Sequence, residues 1–486
     1  MDQKEIDLIK SKSTSSVLFL SIRNFGIQGI STLGFFILTV LLGAAEVGLF
    51  AIVAESIGIL GYFSDLGLAA ALIQQKEKIS KIDLRTTFTI QQILVFTCLL
   101  VVAIFFPQFA TAKGYGSKEI WILISLCFAF IAASFKTIPS VLLERDLNFK
   151  LLSTIDIIEN TTFYVVAVFF AYLNFGAYSY AIATFVRSLV GLIIIYSISP
   201  WPIGYSISKP AAKKLFKFGI PFQFNTFIAV AKDRLSNLVV AGIIGREAFG
   251  ILSWAQKATR VPLSFMDAIM KVSFPAFSRL QQETDYLKKS ISKSIYFIAL
   301  VVFPLLAGIA AVAPDLINLI PKYGKWFPAV LPLYFFAISA AIAAVTTPIT
   351  NAFNAVGKIT TTTKLMIMWT VLTWIFYPVL SIKYGYIGTA IASVIVGASS
   401  FYVWYLANKI FAVNILNTIK TPLFTSLIML LTILSINYLN LPLFISFVLK
   451  IIIGFAVYLT LNYFLSRQQI FWFVDQLKCL LVKKSV

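Results

Sequence analysis

The sequence predicts an all-α polytopic membrane protein. About 14 transmembrane helices are expected, arranged as two six-helix bundles in a parallel pseudo-twofold repeat plus two C-terminal helices. Three observations carry this prediction. First, 59% of the 486 residues are hydrophobic and only 12% are charged, where a soluble domain carries about 25% charged residues. Second, apolar windows of about 20 residues, enough for a helix to cross a bilayer, recur along the whole chain. Third, the chain repeats itself at an offset near 200 residues.

The windows fall at 16–42, 46–73, 84–106, 119–143, 150–173, 177–199, 214–243, 247–276, 290–313, 327–353, 360–382, 385–411, 420–438 and 441–465. Their connecting segments are short, and none could hold a soluble domain. With the N-terminus inside, 25 of the 40 Lys and Arg fall on inner segments, six on outer loops and nine within spans. Cytoplasmic loops carry such an excess, so both termini are expected in the cytoplasm, at a cell (inner) membrane. No cleavable signal peptide is evident, because "MDQKEIDLIKSKSTSS" leads into a long apolar stretch without a small-residue cleavage pattern. The C-terminal "RQQIFWFVDQLKCLLVKKSV" reads as an amphipathic helix on the inner surface.

The repeat emerges from paired segments. "GAAEVGLFAIVAES" (43–56) aligns with "GREAFGILSWAQKA" (245–258) at an offset of 202, matching Gly43 to Gly245 and Gly48 to Gly250. The same offset matches Asp65 to Asp267, and sets Glu55 against Lys257. "NFGAYSYAIA" (174–183) aligns with "KYGYIGTAIA" (383–392) at 209, which places Pro139 on Pro348. Six spans per copy keep both copies in one orientation, and such a pair is expected to enclose a cavity whose ends open alternately. The expected organisation is therefore 1–208 and 209–411 as the two bundles, 412–466 as two further spans, and 467–486 as the tail.

Composition also excludes chemistry. The chain has no histidine, so a His-based zinc site, proton relay or Ser-His triad is out of reach. Cys98, Cys127 and Cys479 are far apart in apolar surroundings and read as packing residues. No metal and no cofactor are expected. The net charge of +20 sits in short loops between spans, which points to anionic lipid and not to nucleic acid.

Charges inside the spans are the candidate functional residues, because each costs roughly 2.5–3.5 kcal/mol at a helix centre unless a cavity or partner receives it. "SWAQKATRVPLSFMDAIMK" (253–271) is the clearest case. Ser253, Gln256, Lys257, Arg260, Ser264, Asp267 and Lys271 recur at steps of three or four, one polar stripe roughly 27 Å long on a helix. Pro262 is expected to bend this helix beside its charges. Arg187 lies at a similar depth in its span, while Lys136 and Lys271 are placed to snorkel to the inner surface. Arg23 sits with Asn24, Gln28 and Ser31 on one face, and Lys232, Asp233 and Arg234 are consecutive, with Asp233 expected to neutralise one neighbour. Asp267 and Lys271 have the spacing of an i,i+4 pair. Nine bases against six acids (Glu55, Asp65, Asp156, Glu159, Asp233 and Asp267) give a positive interior, which suits an anionic substrate, and arginine suits phosphate. Asp156 and Glu159 are candidates for ion coupling, or equally for cross-helix pairing.

"FSDLGLAAALIQQK" (63–76), "LLERDLNFKLLSTIDIIEN" (142–160), "KDRLSNLVVAGIIGREAFGILSWAQKATRVP" (232–262) and "FPAFSRLQQE" (274–283) resemble the Wzx-type polysaccharide flippases, and among them the colanic-acid flippase group. These belong to the polysaccharide-transporter branch of the multidrug/oligosaccharidyl-lipid/polysaccharide (MOP) exporter superfamily. The resemblance covers nearly the whole chain and implies a MATE-like fold. It also implies movement of polyprenyl-pyrophosphate-linked oligosaccharide units, such as those of O-antigen, capsule or exopolysaccharide, to the outer leaflet. It implies cationic substrate contacts at Arg23, Arg234, Lys257 and Arg260, to which the charge reading adds Arg187, with Asn24, Gln28, Ser253, Gln256 and Ser264 as polar lining. The last two spans would hold the lipid tail, where Lys450 is a charge without an evident role. Membrane lipids are implied partners, along with a polysaccharide polymerase and other assembly proteins.

Two other classes fit less well. A drug/cation antiporter of the same superfamily would rely on buried acids, against the positive interior. A membrane glycosyltransferase, polymerase or ligase would need a sizeable outer domain, and the loops are too short for one.

Overall fold

The computed structural model describes residues 26–75, 79–113 and 116–465, and every regular element among them is helical. The readings of Arg23, Asn24 and the tail at 467–486 lie outside the described residues. In chain order the helices are α1 (Gly26–Leu41), α2 (Ala44–Asp65), α3 (Leu68–Gln74), α4 (Lys81–Lys113), α5 (Ser117–Arg145), α6 (Phe149–Tyr172), α7 (Tyr178–Ile198) and α8 (Lys209–Val230). A π-helical turn, Ala231–Leu235, leads into α9 (Ser236–Ile244) and α10 (Arg246–Arg279). There follow α11 (Thr284–Leu319), a 3-10 segment (Tyr323–Ala329), α12 (Val330–Ala355), α13 (Ile359–Ala398), α14 (Phe401–Phe411), α15 (Ile415–Ser435) and α16 (Leu443–Leu465).

Among the described residues, ten helical stretches are long and apolar enough to cross a membrane. One of them, Ile359–Phe411, is 53 residues long and breaks at Gly385 (φ 60°, ψ −142°), so it holds both the 360–382 and the 385–411 windows. The windows at 16–42, 214–243 and 247–276 carry α1, α8–α9 and α10, which are shorter or more polar than the other spans. The chain is a multi-pass, all-α membrane protein. Helix starts are set by side chains that satisfy orphaned backbone amides. Asn148 accepts from the Leu151 amide at the start of α6, and Asn414 from the Asn417 amide at the start of α15.

The chain divides into two compact units between Ser253 and Trp254. In the first, α7 packs along α5 and α6, while α2 packs on α4 and α5. Leu68, Leu72, Phe88, Ile138, Trp201 and Leu215 form one buried cluster there. The seventh window packs with this unit, because α8 lies against α3 and α4 while α9 and the π-turn lie against α2. In the second unit α11 is central, flanked by α12, α15 and α16, around a core that includes Ile295, Ile298, Val302, Ala344 and Phe353.

Positions matched at the 209 offset share local features. Gly176 and Gly385, matched at the 209 offset, both have positive φ (57° and 60°), a conformation open to glycine at little cost. Pro139 and Pro348 are both buried inside long helices, α5 and α12. Pro262 lies within α10, which runs from Arg246 to Arg279, and a π-turn precedes α9.

Candidate functional site

Among the described residues, four groups of intramembrane charges bear on the sequence readings. The first sits on the π-turn. Such turns insert one residue into a helix and are frequent at functional sites. Here the turn carries Lys232, Asp233 and Arg234 in succession. The Lys232 ammonium contacts Asp233 at 2.6 Å, the neutralisation expected from the sequence. Arg234 instead reaches Glu55 on α2 at 3.2 Å, and Asn237 donates to the other carboxylate oxygen at 3.3 Å. The guanidinium lies over Gly58, where a Cβ would stand 1.9 Å from one of its nitrogens. Gly58 is thus the space that lets Arg234 reach Glu55.

The second group joins α5, α6 and α7. Glu159, 5% exposed, accepts from Lys136 at 2.6 Å and faces Arg187 Nε at 3.8 Å. The Arg187 guanidinium also stands 5.9 Å from the centre of the Phe163 ring, within cation–π range. A Cβ at Gly191 would fall 1.9 Å from the Glu159 carboxylate, so this pair too is seated over a glycine. Lys136 does not snorkel as expected; the buried carboxylate one helix away holds it. Beside this group, Asn160 donates to the Ser31 hydroxyl at 3.0 Å and ties α6 to α1. Gln28, on the same face of α1, contacts Thr32 at 3.4 Å.

The third group is the stripe on α10. Lys257, Arg260 and Lys271 are exposed, and Gln256, Ser264 and Asp267 are half-buried. Ser253 is buried, and its hydroxyl donates to the Phe249 carbonyl on its own helix. Ser264 likewise donates to the Val261 carbonyl. The Asp267 carboxylate takes Arg260 at 2.7 Å, two turns away, rather than the expected Lys271 one turn away. Asp65, its repeat mate, does different work: it accepts from the Ala69 amide at the start of α3. Along this stripe three cations face one acid.

The fourth group accounts for Lys450. Its side chain is 1% exposed and forms an ion pair with Asp315, joining α16 to α11. Sequence reasoning missed Asp315 as a partner, because it lies near the end of α11 and 135 residues from Lys450.

Arg187, Arg234, Lys257 and Arg260 are therefore not equivalent. Arg187 and Arg234 are charge-compensated on neighbouring helices, yet their side chains remain 44% and 45% exposed. Arg260 is 57% exposed despite its contact with Asp267. Each presents donors of a flat fork suited to a phosphate oxygen pair.

The sequence profile of a family described as polysaccharide biosynthesis protein matches residues 37–331. The chain is 24% identical over 381 residues to the lipopolysaccharide biosynthesis protein WzxC of Escherichia coli (strain K12), covering 77% of this chain and 75% of that one. It is 23% identical over 301 residues to the teichuronic acid biosynthesis protein TuaB of Bacillus subtilis (strain 168), spanning 60% of this chain and 61% of that relative's length. Among solved structures, the lipid II flippase MurJ in an inward closed conformation superposes with a TM-score of 0.76 at 16% identity, covering 93% of this chain and 100% of that one. At that identity the likeness establishes a shared fold.

Proposed function

Because the chain belongs to the polysaccharide biosynthesis protein family, we propose that it is a flippase. It carries polyprenyl-pyrophosphate-linked oligosaccharide units from the cytoplasmic to the outer leaflet of the cell membrane by alternating access. The observation that carries this reading is the α10 stripe. Lys257 and Arg260 stand exposed roughly 17 and 21 Å along a helix of bilayer-spanning length. Cations at that depth face a cavity, a polar path or an acidic partner, and their exposed donors suit a pyrophosphate, which supplies two phosphate groups.

In this reading Arg187, Arg234, Lys257 and Arg260 receive the pyrophosphate, with Arg23 as a fifth cation. Asn24, Gln28, Gln256, Ser253 and Ser264 offer polar contacts to the sugars. The hold of Lys136 and Arg187 on Glu159 supports a pairing role for that acid, and Asp156 is the other candidate for ion coupling. Both termini lie in the cytoplasm, an orientation supported by the excess of Lys and Arg on one set of loops. The last two spans, α15 and α16, serve the lipid tail, and a polymerase and other assembly proteins receive the product. No covalent step is required.

The test is transbilayer movement of a fluorescent polyprenyl-pyrophosphate oligosaccharide in proteoliposomes. Wild type should move it, and Arg260→Ala and Lys257→Ala, checked for insertion and folding, should slow it at least about tenfold, the effect of losing one charge-assisted contact. Movement at the wild-type rate in both variants would remove these residues from the substrate path. No movement by wild type, together with ion-driven export of an organic cation, would favour an antiporter.

A further inference from the structure

The segment between α7 and α8 is an extended strap. Trp201, 6% exposed, anchors its start: the indole N–H donates to the Tyr196 hydroxyl at 3.2 Å, and the ring meets Phe88 edge-on at 5.2 Å. Further along, the Ser206 amide donates to Thr89 Oγ1 at 3.0 Å and the Ser208 amide to Thr86 Oγ1 at 3.2 Å. Both threonines are buried on α4. Gly204 lies on the same side, where a Cβ would stand 2.6 Å from Arg85 Nε. Residues 204, 206 and 208 thus face α4.

Extended backbone alternates its side chains, so the odd positions turn outward. Ile203, Tyr205 and Ile207 are 48%, 67% and 62% exposed. Three large apolar side chains in a row are presented by a segment that is not a spanning helix.

The strap leads directly into α8, whose first turns carry Lys209, Lys213, Lys214 and Lys217, all exposed. Lys209, Lys213 and Lys217 are spaced by four and share one face, while Ala211 and Leu215 are buried. The first turn of α8 holds no acid. Four cations within the first nine residues of one helix repel one another, and Lys209 in the first turn also opposes the positive end of the helix dipole. Asp83, in the first turn of α4, is engaged by the Ser80 amide and hydroxyl at 3.0 and 2.8 Å.

We propose that the strap and the start of α8 form a binding site for an anionic phospholipid, whose phosphate meets Lys213 and Lys217 and whose acyl chains lie on Ile203, Tyr205 and Ile207. The two halves of the surface choose the ligand together. A water-soluble anion would leave the apolar row uncovered, and a zwitterionic lipid would leave the lysine row uncompensated. Each lysine near an anionic membrane surface favours binding by about fivefold. The site is independent of the proposed transport substrate, and a symmetric bilayer tests it whichever end faces the cytoplasm.

The test places a bimane fluorophore at Tyr205→Cys in full-length protein whose native cysteines are replaced, reconstituted in phosphatidylcholine nanodiscs. Quenching by nitroxide-labelled phosphatidylglycerol is compared with quenching by nitroxide-labelled phosphatidylcholine. The anionic lipid should quench at least about threefold more per mole, and unlabelled phosphatidylglycerol should reverse this while inorganic phosphate does not. Lys213→Gln/Lys217→Gln should bring the ratio to one, and Lys288→Gln/Lys289→Gln should leave it unchanged. Equal quenching by the two lipids overturns the proposal. So does an equal loss in both double variants, which would mean diffuse surface charge, and so does displacement by inorganic phosphate.

Discussion

Gly48 on α2 and Gly250 on α10 touch backbone to backbone. A Cβ built on Gly48 would stand 1.8 Å from the Arg246 carbonyl oxygen, and one on Gly250 would stand 1.9 Å from that of Ala44. The contact is reciprocal: Gly48 and Gly250 are repeat mates at the 202 offset, and so are Ala44 and Arg246. Reciprocity of this kind is the mark of a local twofold relation between two segments.

This contact reverses the usual sign of a glycine substitution. In a helix interior Gly→Ala ordinarily gains about 1 kcal/mol. At Gly48 or Gly250 the obstacle is backbone, which cannot rotate away, so Gly48→Ala and Gly250→Ala should each lose about 1–3 kcal/mol. Gly308→Ala is the control, because nothing lies within 4 Å of its added Cβ. Thermal unfolding in detergent should rank Gly308→Ala at or above wild type and the other two below it. Equal midpoints for all three would refute the contact.

Lys450 and Asp315 carry a second prediction. Removing one member of a buried ion pair strands the other charge, at a cost of about 3–5 kcal/mol, while replacing both with apolar residues is often neutral. Lys450→Met should therefore lower the unfolding midpoint strongly, and Lys450→Met/Asp315→Leu should recover most of the loss. A single variant as stable as wild type would show that α16 does not depend on this pair.

What the sequence made legible follows from periodicity. Apolar runs located the ten described stretches long and apolar enough to cross a membrane, and a polar period of three to four located the α10 stripe, because both signals are local. The Lys232–Asp233 contact was legible for the same reason. The partners of Glu159, Arg234 and Lys450 were not, since each pair joins different helices and no local pattern encodes which helices meet. Asp267 illustrates the limit within one helix. Positions four and seven residues away share its face, and spacing alone cannot say that Arg260 prevails over Lys271.

The Lys136–Glu159–Arg187 group predicts an asymmetry. Lys136 makes the 2.6 Å contact and Arg187 stands at 3.8 Å, so Lys136 carries most of the stabilisation of the carboxylate. Lys136→Met should destabilise the protein more than Arg187→Met. Coupling between Lys136→Met and Glu159→Gln should reach about 1–3 kcal/mol in a double-mutant cycle. Additive effects on the unfolding midpoint would mean that the two side chains act independently.

Asp267 and a phosphate would compete for the same guanidinium. Arg260 and Asp267 are both substantially exposed, 57% and 43%, and exposed pairs of this kind are worth about 0.2–1 kcal/mol. Asp267→Asn keeps the side-chain shape and withdraws the competing charge. If Arg260 receives the pyrophosphate, Asp267→Asn should tighten binding of a labelled polyprenyl-pyrophosphate by up to about fivefold. Arg260→Ala should weaken it, and adding Asp267→Asn to Arg260→Ala should restore much less than it gains in the wild-type background. That dependence separates competition for Arg260 from a general rise in positive charge, which would tighten binding equally whether or not Arg260 is present. Microscale thermophoresis on the four proteins in one detergent reads the cycle, and an equal gain from Asp267→Asn in both backgrounds would take Arg260 out of the substrate contact.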